Sequence, residues 1–289
     1  MDPSLRRAVV RLAAPASLRL VTYNVKCFPW TSPPIRQIVT WLTKTADIVA
    51  LQEVWCRHGD WSAAFTAAGW TFLRPARENH MIGFFGSGLV VAWRSTTWSL
   101  VSARLYPYIS AVGFDSLVTK GWFRVELLNR GTGEPLRLIN THMQSDYEIC
   151  DELWRPIAEP VRMAQALQLV DVECRMPPAP TLIVGDMNTE MCWFQGCDWM
   201  TRHCGPTFPG TSQVLDHCVT WKRGQRWRLL EHRVGRECGD WSDHWPVIWH
   251  VCWQGVNTTS VQGVNTTSVQ GVNTTRVKKS GPRNEVNNK

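Results

Sequence analysis

A set of polar residues stands where apolar runs end, and their types suit phosphate chemistry. Asn24 follows Leu-Arg-Leu-Val-Thr-Tyr, Glu53 follows Ile-Val-Ala-Leu-Gln, and His142 follows Leu-Ile-Asn-Thr. Asp186 and Asn188 follow Thr-Leu-Ile-Val-Gly, Asp216 follows Val-Leu, and Asp243-His244 precede Trp-Pro-Val-Ile-Trp. A single polar residue closing a strand is ordinarily a turn residue; turn chemistry does not explain carboxylate, amide and imidazole at so many ends. The hard oxygens of Glu53, Asn24 and Asp243 suit Mg²⁺, with Mn²⁺ able to replace it. Such an ion polarises a phosphoryl oxygen and neutralises charge on the leaving oxygen. A neutral His244, held by Asp216, would take a proton from the attacking water, worth roughly 10²–10⁴-fold. His142 would donate to a non-bridging phosphoryl oxygen while Asp186 and Asn188 position the water.

The elements that must carry these residues alternate along the chain. Strand patterns fall at 18–24, 48–52, 88–93, 122–127, 136–141, 181–185, 214–220 and 245–251, and helical patterns at 34–45 and 157–173. Pro156 near the start of the second helix and Arg175 near its end fit the preferences of helix termini. So many strands with so few helices predict two sheets flanked by helices. A dinucleotide-binding fold is disfavoured, because no Gly-x-Gly-x-x-Gly follows the first strand.

In order, Thr-Tyr-Asn-Val, Leu-Gln-Glu-Val, Asn-Thr-His-Met-Gln, Gly-Asp-Met-Asn, Leu-Asp-His and Ser-Asp-His-Trp-Pro resemble the endonuclease/exonuclease/phosphatase superfamily. That group includes pancreatic deoxyribonuclease, abasic-site endonucleases, inositol-polyphosphate phosphatases and neutral sphingomyelinases. The resemblance spans about residues 18–252, and the joint match is far more specific than any single element. It implies an α/β (α+β) four-layer sandwich of two mostly antiparallel sheets flanked by helices, the deoxyribonuclease-like fold. It also implies metal ligation by Asn24 and Glu53, with Asp243 as a further metal-site acid. His244 becomes the general base oriented by Asp216, Asp186 and Asn188 the water-positioning pair, and His142 the phosphate contact.

Smaller features bear on the substrate. Phe-Asp-Ser-Leu-Val-Thr-Lys-Gly-Trp-Phe is similar to the Lys-Gly element of sphingomyelinases, and Thr141–Ser145 to their Thr-His-x-Gln segment. Arg162 and Gln165 fit the same branch, and Lys120, Trp122 and Arg162 are the expected substrate contacts. The chain holds 17 tryptophans. Trp30, Trp55, Trp122, Trp193 and Trp241 fall near the expected site, where they would suit a membrane interface, stacking on unpaired bases, or ordinary packing. Met191-Cys192-Trp193-Phe194 is the segment best suited to dip into a surface.

Bulk composition narrows the alternatives. The net charge of +7 resides in the termini: residues 1–19 carry four arginines and one acid, residues 254–289 five basic residues and one acid, and 20–253 are neutral. The neutral body disfavours a polyanionic inositol head group, which needs a Lys/Arg cluster. The ten cysteines include no paired zinc spacing; Cys192, Cys197 and Cys204 lack a second Cys-x-x-Cys half. No run reaches the length of a spanning helix, and Arg11 interrupts the start too early for a secretory signal. The cytoplasm is thereby favoured over secretion.

Residues 1–17 read as a flexible basic start and 18–253 as the catalytic domain. From Gln254, Gln-Gly-Val-Asn-Thr-Thr-Ser-Val recurs with an eight-residue period, without the large apolar residues a core needs, so 254–289 reads as a disordered tail. The expected activity is Mg²⁺-dependent phosphodiester hydrolysis, with release of a phospholipid head group at a membrane surface first, nuclease action on DNA or RNA second, and a non-catalytic binding scaffold third.

Overall fold

The computed structural model describes residues 17–76, 86–146, 151–191, 193–194, 196–200, 205–221 and 227–254, with the backbone alone for 151–155. The basic start, the octapeptide repeats, Cys192 and Cys204 lie outside these residues. In order, the elements are β1 (Ser17–Cys27), α1 (Ile35–Thr45), β2 (Ile48–Val54), α2 (His58–Ala67), β3 (Trp70–Leu73), β4 (Val90–Arg94), β5 (Trp98–Pro107), β6 (Gly121–Asn129) and β7 (Pro135–His142). There follow α3 (Asp151–Cys174), β8 (Thr181–Asp186), β9 (Cys197–Trp199), β10 (Asp216–Trp221), β11 (Trp227–Val234) and β12 (Val247–Trp253). Between β5 and β6 a 3-10 turn spans Gly113–Leu117.

The strands form two six-stranded sheets, ordered β11-β12-β1-β2-β4-β3 and β5-β6-β7-β8-β10-β9. Each is antiparallel except at one central pair: β1 beside β2, and β7 beside β8. Parallel neighbours need a crossover, and the helices that supply it, α1 and α3, become the outer layers. On α1, Ile35, Ile38, Val39 and Leu42 recur at helical spacing and are all buried, giving the stripe that packs on a sheet. They join Val21, Tyr23, Val25, Val49 and Leu51 in one outer core. Ala166 and Leu169 of α3 meet Ile139, Ile183 and Val219 in the other. The four-layer expectation holds.

The core between the sheets follows from the period of two along a strand. Leu18 and Leu20, Ile48 and Ala50, Leu136 and Leu138, and Leu182 and Val184 all enter it, each large side chain contributing about 1.5–3 kcal/mol by leaving water. Two residues further along, the inward positions turn polar: Thr22, Gln52 and Asn140. Gln52 Nε2 donates to Thr22 Oγ1 at 2.9 Å and to Asn140 Oδ1 at 2.7 Å. Asn140 Nδ2 donates to the carbonyls of Leu51 and Val90 across the sandwich. Another step of two brings Asn24 and His142, and on β8 Asp186 follows Val184 directly at that spacing, so the inner face grades from apolar through a hydrogen-bonded layer to the ionisable residues.

Several elements differ from the sequence reading. α3 begins at Asp151, with Pro156 and Pro160 inside it; Pro156 does not mark its start. α2, β3, β5, β9 and β11 were not expected.

Candidate active site

Parallel pairing sets strand ends side by side. Asn24 is in register with Gln52, which places Glu53 one step beyond it, and His142 is in register with Asp186. β10 runs antiparallel to β8 and starts where β8 stops, with Asp216 opposite Asp186. Asp243 and His244 lie in the segment that leads into β12, whose other neighbour is β1. All eight residues expected in the catalytic and metal set therefore meet at one edge of the two sheets.

Asp186 is the hub. Its Oδ2 accepts from Asn24 Nδ2 at 3.0 Å, and lies 3.6 Å from His142 Nε2 and 3.5 Å from His244 Nε2. The other ring nitrogen of His244, Nδ1, is 2.8 Å from Asp216 Oδ2. Backbone amides of Leu215 and Asp216 donate to Thr207 Oγ1, and the Phe208 ring meets the His244 ring edge-on at 5.0 Å. The sequence offered no signal for Thr207 or Phe208. Asn188 N donates to Asp186 Oδ1 and Asn188 Nδ2 to the Met143 carbonyl.

The backbone is constrained here. Glu53 and Asn188 have φ of 57° and 52°, left-handed values uncommon outside glycine and typical of positions that a site over-determines. Gly185 has φ of 146°, and a Cβ on it would sit 1.9 Å from the Thr141 carbonyl oxygen. Only glycine lets β8 approach β7 closely enough to set Asp186 beside His142.

Burial and charge shift the ionisable groups. Burial raises Glu53, opposed by Lys120 and the hydrogen bond from Asn24. Burial likewise raises Asp186, with the Asp216 charge adding to it. His142 is held well below the usual imidazole range by burial, the Lys120 ammonium and His244, and is neutral. Burial works against a charge on His244, but Asp216 and Asp186 outweigh it and lift the ring to about 10. The expectation of a neutral His244 is corrected: with carboxylates on both sides, the resting ring holds its proton.

The donors fit a divalent ion. Glu53, Asn24 and Asp243 offer hard oxygens at adjoining strand ends. Ser242 Oγ, donating to the Asn24 carbonyl at 2.8 Å, ties the 242–244 segment to β1. The Lys26 ammonium is paired with Asp243, so that acid already holds a positive charge. Asp186, Asp216 and His244 also present ligand atoms within 4.8 Å of one another. Asp216 Oδ2 and His244 Nδ1 are already engaged with one another at 2.8 Å, which favours the Glu53 side.

The expected substrate contacts fare differently. The Lys120 ammonium is buried and engages His142 Nε2, the Met143 carbonyl and Asp115 Oδ1 at 2.8, 3.0 and 3.1 Å. An ammonium has three protons, so Lys120 has none left for a phosphate and acts by positioning His142. Trp122 is 0% exposed, stacks on Tyr106 and donates to Glu173; it is core, with no face for a substrate. Arg162 is buried and clamps the Gln144 carbonyl and the Asp146 carboxylate, holding the segment after His142. Of the other tryptophans, Trp55 is buried, Trp193 and Trp241 pack against cores, and Trp30 is 76% exposed. The proposed dipping segment is corrected too: Met191 is exposed, but Phe194 is buried. Asp115, the Lys120 partner, escaped the sequence reading.

Residues 21–249 match the model of the Endonuclease/Exonuclease/phosphatase family, and the chain belongs to that family, whose members hydrolyse phosphate esters. Solved structures share its fold. Beta toxin 275-280 from Staphylococcus aureus superposes with a TM-score of 0.64 at 17% identity, over 80% of this chain and 99% of that one. TDP2 of D. rerio complexed with single strand DNA product gives 0.60 at 15%, over 82% and 99%. A mutant S. aureus beta toxin with bound magnesium ions gives 0.59 at 16%, over 81% and 99%. No curated protein sequence matches the chain. Among the described residues no helix is long and apolar enough to cross a membrane.

Proposed function

We propose that residues 18–253 form a Mg²⁺-dependent phosphodiesterase that releases a phosphorylated head group from a phospholipid at a membrane surface. The observation that carries the chemistry is Asp186, held within 3.6 Å of Asn24, His142 and His244. Glu53, Asn24 and Asp243 would hold the ion, which supplies Lewis-acid polarisation of the phosphoryl oxygen when bound. Asp186 and Asn188 orient the attacking water. His244, steadied by Asp216, accepts its proton once the ring has given up its own. Lys120 and Arg162 fix His142 and the segment behind it.

Three features favour lipid over nucleic acid. The Lys120-Gly121 and Thr141–Ser145 elements resemble the sphingomyelinase branch, and the body carries no net charge to meet a polyanion. Beside Asp115, Phe114 is 70% exposed and Leu117 43%, while Ile109 at the end of β5 is 85% exposed; such side chains suit the interface of a bilayer. The second reading, a nuclease, draws on the fold shared with DNA-bound TDP2. The test is Mg²⁺-dependent hydrolysis of sphingomyelin vesicles beside plasmid nicking, with His244→Ala as the blank for both. Phosphocholine release without nicking is expected. Nicking alone would make the chain a nuclease.

A further inference from the structure

Asn24 and Glu53 each stand three residues before a cysteine, in Asn24-Val-Lys-Cys27 and Glu53-Val-Trp-Cys56. Because β1 and β2 are parallel, with Cys27 in register with Val54, the two thiols also meet. Their Sγ atoms are 3.7 Å apart. The surroundings hold them there: Trp55 N donates to the Cys27 carbonyl at 3.1 Å, and Cys56 Sγ donates to the same carbonyl at 3.4 Å. Cys27 is fully buried while Cys56 is half-buried, so one sulfur is reachable and the second stands behind it.

We propose that Cys27 and Cys56 form a disulfide site that small-molecule disulfides oxidise in two steps, Cys56 reacting first and Cys27 resolving the intermediate. In the first step the Cys56 thiolate attacks a sulfur of the reagent, R–S–S–R; a Cys56–S–S–R bond forms and one R–S⁻ leaves. In the second the Cys27 thiolate attacks the Cys56 sulfur, the intramolecular bond forms and the second R–S⁻ departs. Two electrons pass from the protein to the reagent, and the two thiol protons end on the released thiols or in water. The sulfurs must close from 3.7 Å to about 2.05 Å. Burial and the Cys27 contacts push Cys56 up to about 11, so the first step is slow at neutral pH and accelerates as pH rises. The product joins the two strand ends that carry Asn24 and Glu53.

The experiment treats the full chain with oxidised glutathione at alkaline pH, alkylates the remaining thiols and maps tryptic peptides by mass. Cleavage after Arg36 and Lys44, which lie between them, places the two cysteines in separate peptides. A linked pair, lighter by about 2 Da than the sum of the reduced peptides and separated by reductant, is expected. Cys27→Ser should trap glutathione on Cys56, and Cys56→Ser should leave Cys27 unmodified. Recovery of both wild-type peptides alkylated and unlinked would overturn the site, as would glutathione on Cys27 in the folded Cys56→Ser variant. The wild-type map decides the matter even if a variant misfolds, and no readout depends on the substrate.

Discussion

Lys120 Nζ lies 2.8 Å from Nε2 of His142, and the same ammonium lies 3.1 Å from Asp115 Oδ1. An ammonium only donates, so Nε2 accepts and the neutral ring carries its proton on Nδ1, which is buried without a partner. Nε2 is also the nitrogen nearest Glu53 and Asp186. The expected donation from His142 to a phosphoryl oxygen therefore requires the ring to change its partners. Lys120 and Asp115 decide which nitrogen is available.

Lys120→Met should lower kcat by roughly 10²-fold with a smaller change in KM, as a positioning loss does. It also leaves Asp115 buried without its cation, at a cost of about 3–5 kcal/mol. Lys120→Arg should rescue stability more than kcat, because a planar fork cannot reproduce three separate contacts. Steady-state kinetics and thermal melts of both variants check this; a pure rise in KM would point instead to direct substrate binding.

Because His244 is held up at about 10 by its two carboxylates, the fraction able to accept a proton grows with pH. The value of kcat/KM should rise nearly tenfold per unit across about pH 6–8. Asp216→Asn removes the main stabiliser of the charged ring, leaving only Asp186 and Asp243 to oppose burial. The rising limb should move to lower pH while the maximum falls by roughly 10²–10⁴-fold. An unmoved limb in that variant would take the base role from His244.

Asn140→Ala should be destabilising out of proportion to its size. It strips a donor from the Leu51 and Val90 carbonyls and an acceptor from Gln52, all buried between the sheets. The expected loss is roughly 2–4 kcal/mol, seen as a Tm lower by about 5–15 °C. Asn140 touches no ionisable site residue through these bonds, so a variant that retains its melting temperature would mean the polar layer adds little.

His217 sets an acid limit on the fold. Burial lowers it to about 4, against partial support from the Thr189 carbonyl at 2.6 Å. The unfolded chain then binds the proton more readily than the folded one, so this group's contribution is complete above about pH 6.5 and declines as pH falls toward 4. Chemical denaturation at pH 7 and pH 5 should differ by about 2 kcal/mol from this group. His217→Gln, which keeps a donor for Thr189, should flatten the difference; an unchanged slope would assign it to other groups.

Strands were legible where both faces are buried. In Leu18–Tyr23 and Thr181–Val184 the apolar run itself marks the element. β5 and β11 lie at sheet edges, and 99–104 and 228–233 are largely exposed, so the contrast between inner and outer residues fades. α2 opens on His58-Gly59 and carries almost no one-sided apolar stripe. The site residues were legible because each ends or adjoins a central strand. What spacing could not show was whether a side chain points to a substrate or to a neighbour. Lys120 is spent on Asp115, His142 and Met143, and Trp122 on Glu173 and Tyr106.

The site is divided between the sheets. Asn24 and Glu53 belong to one, His142, Asp186 and Asp216 to the other, and the contact between Asn24 and Asp186 spans the gap. Neither sheet alone holds a complete set. A swollen state that kept every strand and helix but let the two sheets drift apart by a few ångströms would keep its circular dichroism and the Asn24, Glu53 and Asp243 oxygens of one sheet, but lose turnover. Turnover thus serves as a gauge of sandwich closure, failing before secondary structure does under acid, denaturant or a cavity cut into the Leu20–Leu138 layer.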